Sequence, residues 1–380
     1  MKIDLPEEIV AIKDVARKFA ERRILPIIAD DYEKHVMRRE IVEEMGQQGF
    51  FGCLVPEEYG GTGTGYLSAV AISEEISKVS ASYGGSFICQ LAGPPLTLLN
   101  YGTEEQKQRY ISKIVSGKFS VLFAATEPDA GSDITAMKGT ALDTGDCYLL
   151  NTTKTWITNA NTADIGLVWV YTDKEKKHKG MSCFIVDLKN TKGISAKPIK
   201  TMGLTCSDVG ELIFDNVEIP KENLLGEVGN GYSMLMSTLS NTRLFAASRA
   251  LGVGEACIEA SLKYARERIQ FGKSIGDYQM IQNQLVEVFV EHEAAKLLVY
   301  QVAINKDKGI NDMTELATAK YFAAEAGLKA AQTAMRIHSS YGFSLEYPIH
   351  RYLRDATAFP ITEGTSNIQK MIIARNILKG

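Results

Sequence analysis

The sequence predicts an α+β multidomain protein in which a helical region, a β-rich region and a second helical region follow one another. Three observations predict this order. Apolar residues recur at three- and four-residue spacing in the first part, short β-rich segments follow, and two long amphipathic stretches come last. We place the three domains at residues 1–118, 119–226 and 227–380.

Helix signals dominate the first region, as in PEEIVAIKDVARKFAERRILPI and YLSAVAISEEISKVSA. Thr103 precedes another helical stretch and Gln106 follows three residues later, a pairing typical of a capping box at a helix start. Gly93, Pro94 and Pro95 predict an interruption between two helices, because proline has no backbone N–H to donate.

The second region changes its period. CYLLNTTKTWITNA, DIGLVWVYTD, MSCFIVDL and GELIFDNVEIP are rich in β-branched and aromatic residues, and turn residues separate them. This pattern predicts an antiparallel sheet or barrel. In the third region, the long stretches that begin near Asp277 and Met313 have apolar faces suited to an antiparallel bundle.

Composition places the chain among ordinary globular proteins, since 45% of its 380 residues are apolar and 23% are charged. The net charge of −4 gives no reason to expect nucleic acid as a partner. The six cysteines form no C-x-x-C pair, the five histidines lack zinc-ligand spacing, and no window approaches the roughly 18 apolar residues of a membrane span. We therefore expect a cytoplasmic protein with no metal site and no membrane insertion.

Three short motifs suit a flat cofactor, and each alone has a plain structural alternative. FAATEPDAGSD (123–133) offers N–H groups and hydroxyls for a polar ring edge or a phosphate, but it also suits a simple inter-domain loop. KTWITNA (154–160) places Trp156 and Thr158 on one strand face, although in isolation a core tryptophan is the better interpretation. In RERIQFGKSIGDYQ (266–279), Arg268 could clamp a pyrophosphate and Phe271 could stack on a purine, or the motif could simply end a basic helix.

Taken together, these motifs resemble the acyl-CoA dehydrogenase family over essentially the full chain. The matching blocks are TEPDAGSD, KTWITNA, R-x-x-FGK-x-IGDYQ, EYPI-x-R-x-x-RDA and EGTSNIQ, in the family's order and at its spacings. ELIFDNVEIPKENLLGE and YGFSLEYP are most similar to bacterial glutaryl-CoA dehydrogenases that do not decarboxylate their substrate.

The resemblance implies a middle antiparallel β-barrel, a C-terminal four-helix bundle and non-covalently bound FAD. It also implies a homotetramer, an acyl-CoA substrate and electron-transferring flavoprotein as the electron acceptor. The implied reaction is α,β-dehydrogenation of the thioester, in which a carboxylate removes the α-proton while the β-hydride passes to the flavin.

Matched position by position, the resemblance implies that Glu363 is the catalytic base and that its backbone N–H polarises the thioester carbonyl. The implied cofactor contacts are Phe123, Ala125, Thr126, Gly131, Ser132, Trp156, Thr158, Arg268, Phe271, Gln279, Thr365 and Asn367. The implied substrate contacts are Ser132, Asn241, Thr242, Arg243, Gly364, Arg375, Ile88 and Leu91. The resemblance assigns Arg268, Phe271 and Gln279 to the ADP half of FAD, partly from a neighbouring subunit.

Thr242 helps to choose the base. Some branches of the family carry the base in a Glu-Arg pair on another helix, where this chain has Thr242 followed by Arg243. Threonine cannot act as this base, so the comparison of the two positions favours Glu363.

In the family, the acyl pocket is lined largely by the helix around residues 84–97. Glutaryl-CoA enzymes place an arginine in that helix, and the corresponding residue here is Ile88. Because an unpaired carboxylate in an apolar pocket is costly, we expect a neutral short, branched or alicyclic acyl group, such as cyclohexane-1-carbonyl. Glutaryl-CoA or another dicarboxylyl-CoA is the alternative.

Two other interpretations fit the same fold. An acyl-CoA oxidase would differ in oxygen access, and hydrogen peroxide formed without an added electron acceptor would favour it. A helical assembly factor that had lost the chemistry would lack the base or the flavin motifs, and both are present in this sequence.

Overall fold

The computed structural model describes residues 4–379. The first helices are α1 (Glu7–Phe19), α2 (Ile28–Lys34), α3 (Arg39–Gln47), α4 (Gly65–Val79), α5 (Ala81–Ala92), α6 (Pro94–Tyr101) and α7 (Glu104–Val115). The middle strands are β1 (Val121–Ala124), β2 (Thr140–Asp143), β3 (Cys147–Thr158), β4 (Ile165–Tyr171), β5 (Met181–Asp187), β6 (Ile194–Pro198), β7 (Val209–Pro220) and β8 (Leu224–Leu225). The last elements are α8 (Gly231–Glu267), β9 (Ile269–Gln270), β10 (Lys273–Ser274), α9 (Gln279–Asp307), α10 (Met313–His338), α11 (Ser340–Phe343), α12 (Ile349–Ala356) and α13 (Ser366–Ile377).

This order confirms the predicted succession of helical, β and helical regions. The exact domain boundaries at 118/119 and 226/227 stay a prediction. Two local predictions are confirmed as well. The capping box of α7 is complete, with Gln106 N donating to Thr103 Oγ1 at 3.2 Å and Thr103 N donating to Gln106 Oε1 at 3.0 Å. The helical pattern breaks at Gly93, between α5 and α6.

Within the described chain, the middle strands form an eight-stranded sheet in the order β6-β7-β3-β2-β4-β5-β8, with β1 beside β4. Most neighbouring strands are antiparallel, whereas β1 and β2 pair with β4 in parallel. Over residues 4–379 the edge strands β6 and β8 do not pair with each other, so the closed barrel is not confirmed. The join between β2 and β4 consists of one residue pair, Thr140 and Tyr171.

The two faces of β4 belong to different hydrophobic cores, because side chains alternate along a strand. Leu167 and Trp169 join the main core, which also contains residues of the helices that precede and follow the sheet in the sequence. Val168 and Val170 join a second cluster enclosed by the β domain. The Trp169 indole N–H donates to the carbonyl oxygen of Gly231 at 2.9 Å, which ties the sheet to the start of α8.

α8 spans 37 residues and packs against α4, α5, α9 and α10. Its close approach to α4 depends on Gly252, where a Cβ atom would lie 2.4 Å from the carbonyl oxygen of Glu74. α10 contacts α8, α9 and α13, so these helices form the C-terminal helical domain. No helix within residues 4–379 is both long enough and apolar enough to cross a membrane.

Candidate active site

Glu363 lies in the connection between α12 and α13. Glu363 and Gly364 both adopt left-handed backbone conformations, with φ values of 58° and 87°. A Cβ atom on Gly364 would lie 2.7 Å from Nε2 of Gln369, so glycine provides space as well as conformational freedom. A glutamate at positive φ costs about 1 to 3 kcal/mol, which the surrounding contacts must offset.

A buried lysine holds the backbone of this connection in place. Lys320 of α10 is 1% exposed, and its ammonium donates to the carbonyl oxygens of Phe359 at 3.0 Å and Gly364 at 2.9 Å. Burial lowers the pKa of Lys320 to about 8, while the negative charge of Glu363 acts in the opposite direction. Hydrogen bonds from a charged donor contribute roughly 1.5–3 kcal/mol each, enough to offset the backbone strain.

Three further side chains fix the orientation of Glu363. The Thr242 hydroxyl donates to the Glu363 carboxylate oxygen Oε2 at 2.7 Å. Arg243 Nε donates to the Glu363 carbonyl oxygen at 3.3 Å, and the Gln369 amide donates to the Gly364 carbonyl oxygen at 3.0 Å. Thr242 and Arg243 are neighbours on α8, so this helix binds both the side-chain carboxylate and the backbone carbonyl of Glu363.

Positive charge surrounds the half-buried Glu363 carboxylate. Arg243, Arg249 and Lys320 are all buried, and each interacts electrostatically with Glu363. Burial lowers the pKa of both guanidinium groups, and the charge of Glu363 opposes that effect. The charges of Glu363 and Arg249 also act on the thiol of Cys89 in α5. Burial, together with Glu363, raises the pKa of its thiol to about 12, so Cys89 is protonated at neutral pH and is not a rival base.

The structure joins two of the predicted flavin motifs at one edge of the β domain. The backbone N–H of Thr155 donates to the carbonyl oxygen of Thr126 at 3.0 Å, which brings the end of β3 against the loop after β1. A β-bulge between Lys154 and Ile157 interrupts the pairing of β3 with β7. Trp156 lies in this bulge at a φ of 60° and is 62% exposed, so its interpretation as a core residue is wrong.

A buried ion pair shapes the same loop. Lys154 donates to Glu127 Oε1 at 2.7 Å and to the carbonyl oxygen of Ala125 at 3.2 Å. Thr152 donates to the same Glu127 oxygen at 2.8 Å. Burial by itself raises the pKa of Glu127, but the Lys154 charge reverses this and leaves the pKa below its usual value. These contacts make the loop rigid.

The loop opens to free space beside the predicted flavin contacts. A Cβ atom built on Gly131 has no other atom within 4 Å, and both Gly131 and Ser132 are exposed. A rigid polar loop therefore lies beside an exposed indole and the half-buried Thr158. This arrangement fits a flat, hydrogen-bonding ring system such as that of FAD.

The predicted contacts to the ADP half lie elsewhere. Phe271 is at the tip of the β9–β10 hairpin and is 94% exposed. Arg268 lies 5.2 Å from the centre of the Tyr341 ring, and Gln279 begins α9. Over residues 4–379, no hydrogen bond or ring contact joins this hairpin to β3 or to Glu363.

The predicted residues of α13 are at opposite ends of that helix. Thr365 caps the helix, with its hydroxyl accepting from the backbone N–H of Ile368 at 3.2 Å. Asn367 is exposed in the first turn. Arg375 is exposed in the last turn, roughly 14 Å along the axis from Ser366.

The predicted substrate contacts fall into buried and exposed groups. Ile88 and Leu91 are buried in α5. Asn241 is also buried, and its amide oxygen accepts from the Tyr66 hydroxyl at 2.9 Å and from Lys306 at 3.1 Å. The roles of all these residues stay predictions.

Several residues that shape this site are not among the predicted contacts. They are Glu127, Lys154, Arg249, Lys320 and Gln369. Lys320 carried a usable signal, since it is a lone cation on an alanine-rich helical face. Glu127 and Gln369 lie inside motifs that were recognised, but their partners are distant in sequence.

Comparisons with known proteins agree with this geometry. The N-terminal, middle and C-terminal domains of acyl-CoA dehydrogenases match residues 6–118, 122–217 and 229–378. The glutaryl-CoA dehydrogenase of Desulfococcus multivorans is 44% identical over 98% of this chain and 97% of that protein. Subunit CarC of the caffeyl-CoA reductase-Etf complex of Acetobacterium woodii is 42% identical over 97% of both chains.

A solved structure shows the same similarity in three dimensions. A glutaryl-coenzyme A dehydrogenase in complex with glutaryl-CoA is similar with a TM-score of 0.97 and 42% sequence identity. The match covers 100% of this chain and 97% of that one.

Proposed function

Since the chain belongs to the acyl-CoA dehydrogenase family of flavin-dependent oxidoreductases, we propose that Glu363 is its catalytic base. Glu363 would remove the α-proton of an acyl-CoA thioester and so form the 2-enoyl-CoA. The observation that carries this proposal is the 2.7 Å hydrogen bond from Thr242, which orients the Glu363 carboxylate.

The site also suits the charge that develops during proton removal. An α-proton is weakly acidic, so the enolate oxygen needs donors placed in advance. The backbone N–H of Glu363 donates no hydrogen bond within the described residues 4–379, and the thioester oxygen would accept one there. Arg243, Arg249 and Lys320 add positive charge around the reacting atoms.

FAD, when bound, supplies the hydride acceptor. Phe123, Ala125, Thr126, Gly131, Ser132, Trp156 and Thr158 would hold its flavin end, with Thr365 and Asn367 at the start of α13. Arg268, Phe271 and Gln279 would hold the ADP half of a neighbouring subunit's FAD, because no hydrogen bond or ring contact within residues 4–379 joins the hairpin to Glu363 or β3. This arrangement requires an oligomer, and a homotetramer is part of the proposal.

Ser132, Asn241, Thr242, Arg243, Gly364 and Arg375 are proposed to contact the CoA thioester, with Ile88 and Leu91 at the acyl group. For the acyl group itself, the sequence favours a neutral short, branched or alicyclic chain because Ile88 stands where glutaryl-CoA enzymes have arginine. A specific observation favours the dicarboxylyl alternative, since Arg249 of α8 places a guanidinium beside α5. Turnover of butyryl-, isobutyryl-, glutaryl-, benzylsuccinyl- and cyclohexanecarbonyl-CoA would separate the two classes.

Electron-transferring flavoprotein is the proposed electron acceptor, and the name of the Acetobacterium woodii relative includes an Etf complex. A cytoplasmic location also belongs to the proposal and rests on the sequence. The competing oxidase reaction predicts hydrogen peroxide in air when no acceptor is added.

The substitution Glu363→Gln tests the mechanism. We expect it to lower acyl-CoA dehydrogenation by several orders of magnitude, because the amide cannot accept the α-proton. FAD binding, measured by flavin absorbance after gel filtration, should change little. If the variant kept most of its activity with butyryl-CoA or glutaryl-CoA, Glu363 would not be the base.

A further inference from the structure

We propose that Arg249 selects the acyl group, and that its guanidinium binds the distal carboxylate of a dicarboxylyl-CoA. The proposal rests on the function proposed above, since it concerns the far end of the substrate whose α-carbon faces Glu363. It adds a residue on α8 that the sequence comparison with the family did not assign.

Arg249 is buried, and the residues described at 4–379 give its guanidinium only one hydrogen bond. It is 7% exposed and has five N–H donors. Within residues 4–379, Nη2 donates to the Thr362 hydroxyl at 3.3 Å, and Nε is buried with no hydrogen-bond partner. The guanidinium carbon lies 5.6 Å from the centre of the Phe359 ring. In the described part of the chain, no carboxylate lies within 4.0 Å of it.

The other two buried cations of the site, Lys320 and Arg243, each have a carbonyl oxygen as a hydrogen-bond acceptor. Lys320 donates to two carbonyl oxygens, and Arg243 donates to one. Arg249 alone has neither a carbonyl nor a carboxylate partner among the described residues. A buried charge left in this state is costly, so an anionic partner is expected from outside the protein.

The nearby acids cannot supply that partner. Glu363 accepts from Thr242 and must remain available for the α-proton. Asp355 affects the pKa of Arg249 from a distance, but its carboxylate accepts from the Tyr32 hydroxyl at 3.0 Å and from the backbone N–H of Leu204 at 2.6 Å. The remaining source of negative charge is the ligand.

The position of Arg249 fits the acyl end of the substrate. Its hydrogen-bond partner, Thr362, immediately precedes Glu363. On the other side lies α5, where a Cβ atom on Gly85 would be 2.9 Å from Nη1 and one on Gly84 would be 3.5 Å from Cδ. The two glycines therefore make room for the guanidinium against this helix.

The glycine pair also bears on the expectation that rests on Ile88. Ile88 lies about one turn beyond Gly84 on the same helix, so its face of α5 is the one that receives Arg249. The helix needs no arginine of its own to meet a carboxylate, because α8 supplies one across the gap. A planar guanidinium matches a carboxylate with two parallel hydrogen bonds, and a neutral acyl chain would leave it unpaired.

Equilibrium binding to the FAD-loaded enzyme tests this assignment without turnover. In the Glu363→Gln background, calorimetry would compare glutaryl-CoA with pentanoyl-CoA, which has the same chain length and no distal charge. We expect Arg249→Gln to reduce the affinity for glutaryl-CoA by about 30-fold or more relative to pentanoyl-CoA. Arg249→Lys, which keeps the charge, should lose less. Equal losses for both ligands would overturn the proposal.

Gly85→Ala provides a second route if Arg249 variants fold poorly. The added methyl group would displace the guanidinium while favouring the helix itself. We expect a lower ratio of glutaryl-CoA to pentanoyl-CoA affinity, whereas Ser86→Ala on the same helix should leave the ratio unchanged. An unchanged ratio in Gly85→Ala would count against Arg249.

The two proposals can fail separately. If Glu363→Gln still dehydrogenated acyl-CoA, the proposed base would be wrong whatever the Arg249 variants did. If Glu363→Gln were inactive but the affinity ratio did not depend on Arg249, only the acyl assignment would be wrong.

Discussion

At Glu363, backbone conformation and chemistry depend on each other. The left-handed conformation lets one residue present its carboxylate to Thr242 and its carbonyl oxygen to Arg243, which are neighbours on α8. Such a conformation persists only where the surroundings over-determine it. Lys320 and Gln369 supply that constraint through the Gly364 carbonyl oxygen.

The Thr242 hydrogen bond can be tested by Thr242→Val, which removes the hydroxyl and nearly keeps the shape. A hydrogen bond to a charged group contributes roughly 1.5–3 kcal/mol, so a misdirected carboxylate should lower kcat/KM by about 10- to 100-fold. Steady-state kinetics over a range of pH would measure this, and Thr242→Ser should restore most of the activity.

Thr238→Val is the matched control one turn earlier on α8. Thr238 is also buried, and its hydroxyl meets Thr97 at 2.7 Å instead of Glu363. We expect this variant to lose stability with little change in kcat/KM. Equal kinetic losses in both variants would mean that Thr242 has only a structural role.

At the scale of elements, α12 connects parts of the chain that are far apart in sequence. Asp355 accepts from the Tyr32 hydroxyl of α2 and from the backbone N–H of Leu204, in the loop before β7. Burial raises the pKa of Asp355 to about 6, although these hydrogen bonds and nearby arginines lower it in part. The folded protein therefore holds this proton more tightly than the unfolded chain does.

This shift predicts a pH-dependent stability. A raised carboxyl pKa stabilises the fold below the unfolded value near pH 4, and the contribution is lost as pH rises through about 6. Asp355→Asn should therefore gain stability relative to the natural protein between pH 4.5 and 7.5, by up to about 3 kcal/mol. Thermal unfolding at constant FAD and protein concentrations would measure it, and a pH-independent difference would contradict it.

In a second element, β3, one β-bulge changes which side chains face the solvent. The bulge between Lys154 and Ile157 turns Trp156 outward, while Lys154 itself points inward to Glu127. In a regular strand these two residues, two positions apart, would lie on the same face. The bulge separates them and interrupts the pairing with β7 where the loop after β1 arrives. The bulge therefore places the exposed Trp156 ring next to the rigid loop that follows β1.

At the scale of the whole molecule, the residues described at 4–379 leave one apolar face of α9 exposed. Val286, Phe289, Val290 and Leu297 are exposed and recur at helical spacing, and α9 packs against α10 on another side. An apolar face of this kind suits a contact between subunits. The hairpin with Phe271 lies just before this helix, so assembly and completion of the FAD site are expected together.

Val290→Glu tests this arrangement, because it places a charge within the apolar face. We expect a smaller oligomer by light scattering and faster loss of FAD on dilution. Val228→Glu is the control, since Val228 is 55% exposed against 58% for Val290 and lies in the loop before α8. An unchanged oligomer in Val290→Glu would show that this face is not the interface.

The predictable part of this protein is what local patterning encodes. Apolar periodicity, the capping box at Thr103 and the break at Gly93 predicted where helices and strands occur, because those signals depend on neighbouring residues. The motif around Glu363 pointed to the family. The closed barrel was not confirmed, since closure depends on whether distant edge strands meet.

By itself, the sequence determined the order of the three regions, and it predicted Glu363, Thr242 and the proposed flavin motifs as one site. Only the tertiary structure decided that Lys320 donates to the backbone next to Glu363, that Trp156 faces outward, and that Arg249 lies against Gly84 and Gly85 of α5. The physical reason is the same in each case. The role of a buried charged or aromatic side chain depends on the groups that contact it. Tertiary packing brings those groups together from distant parts of the sequence.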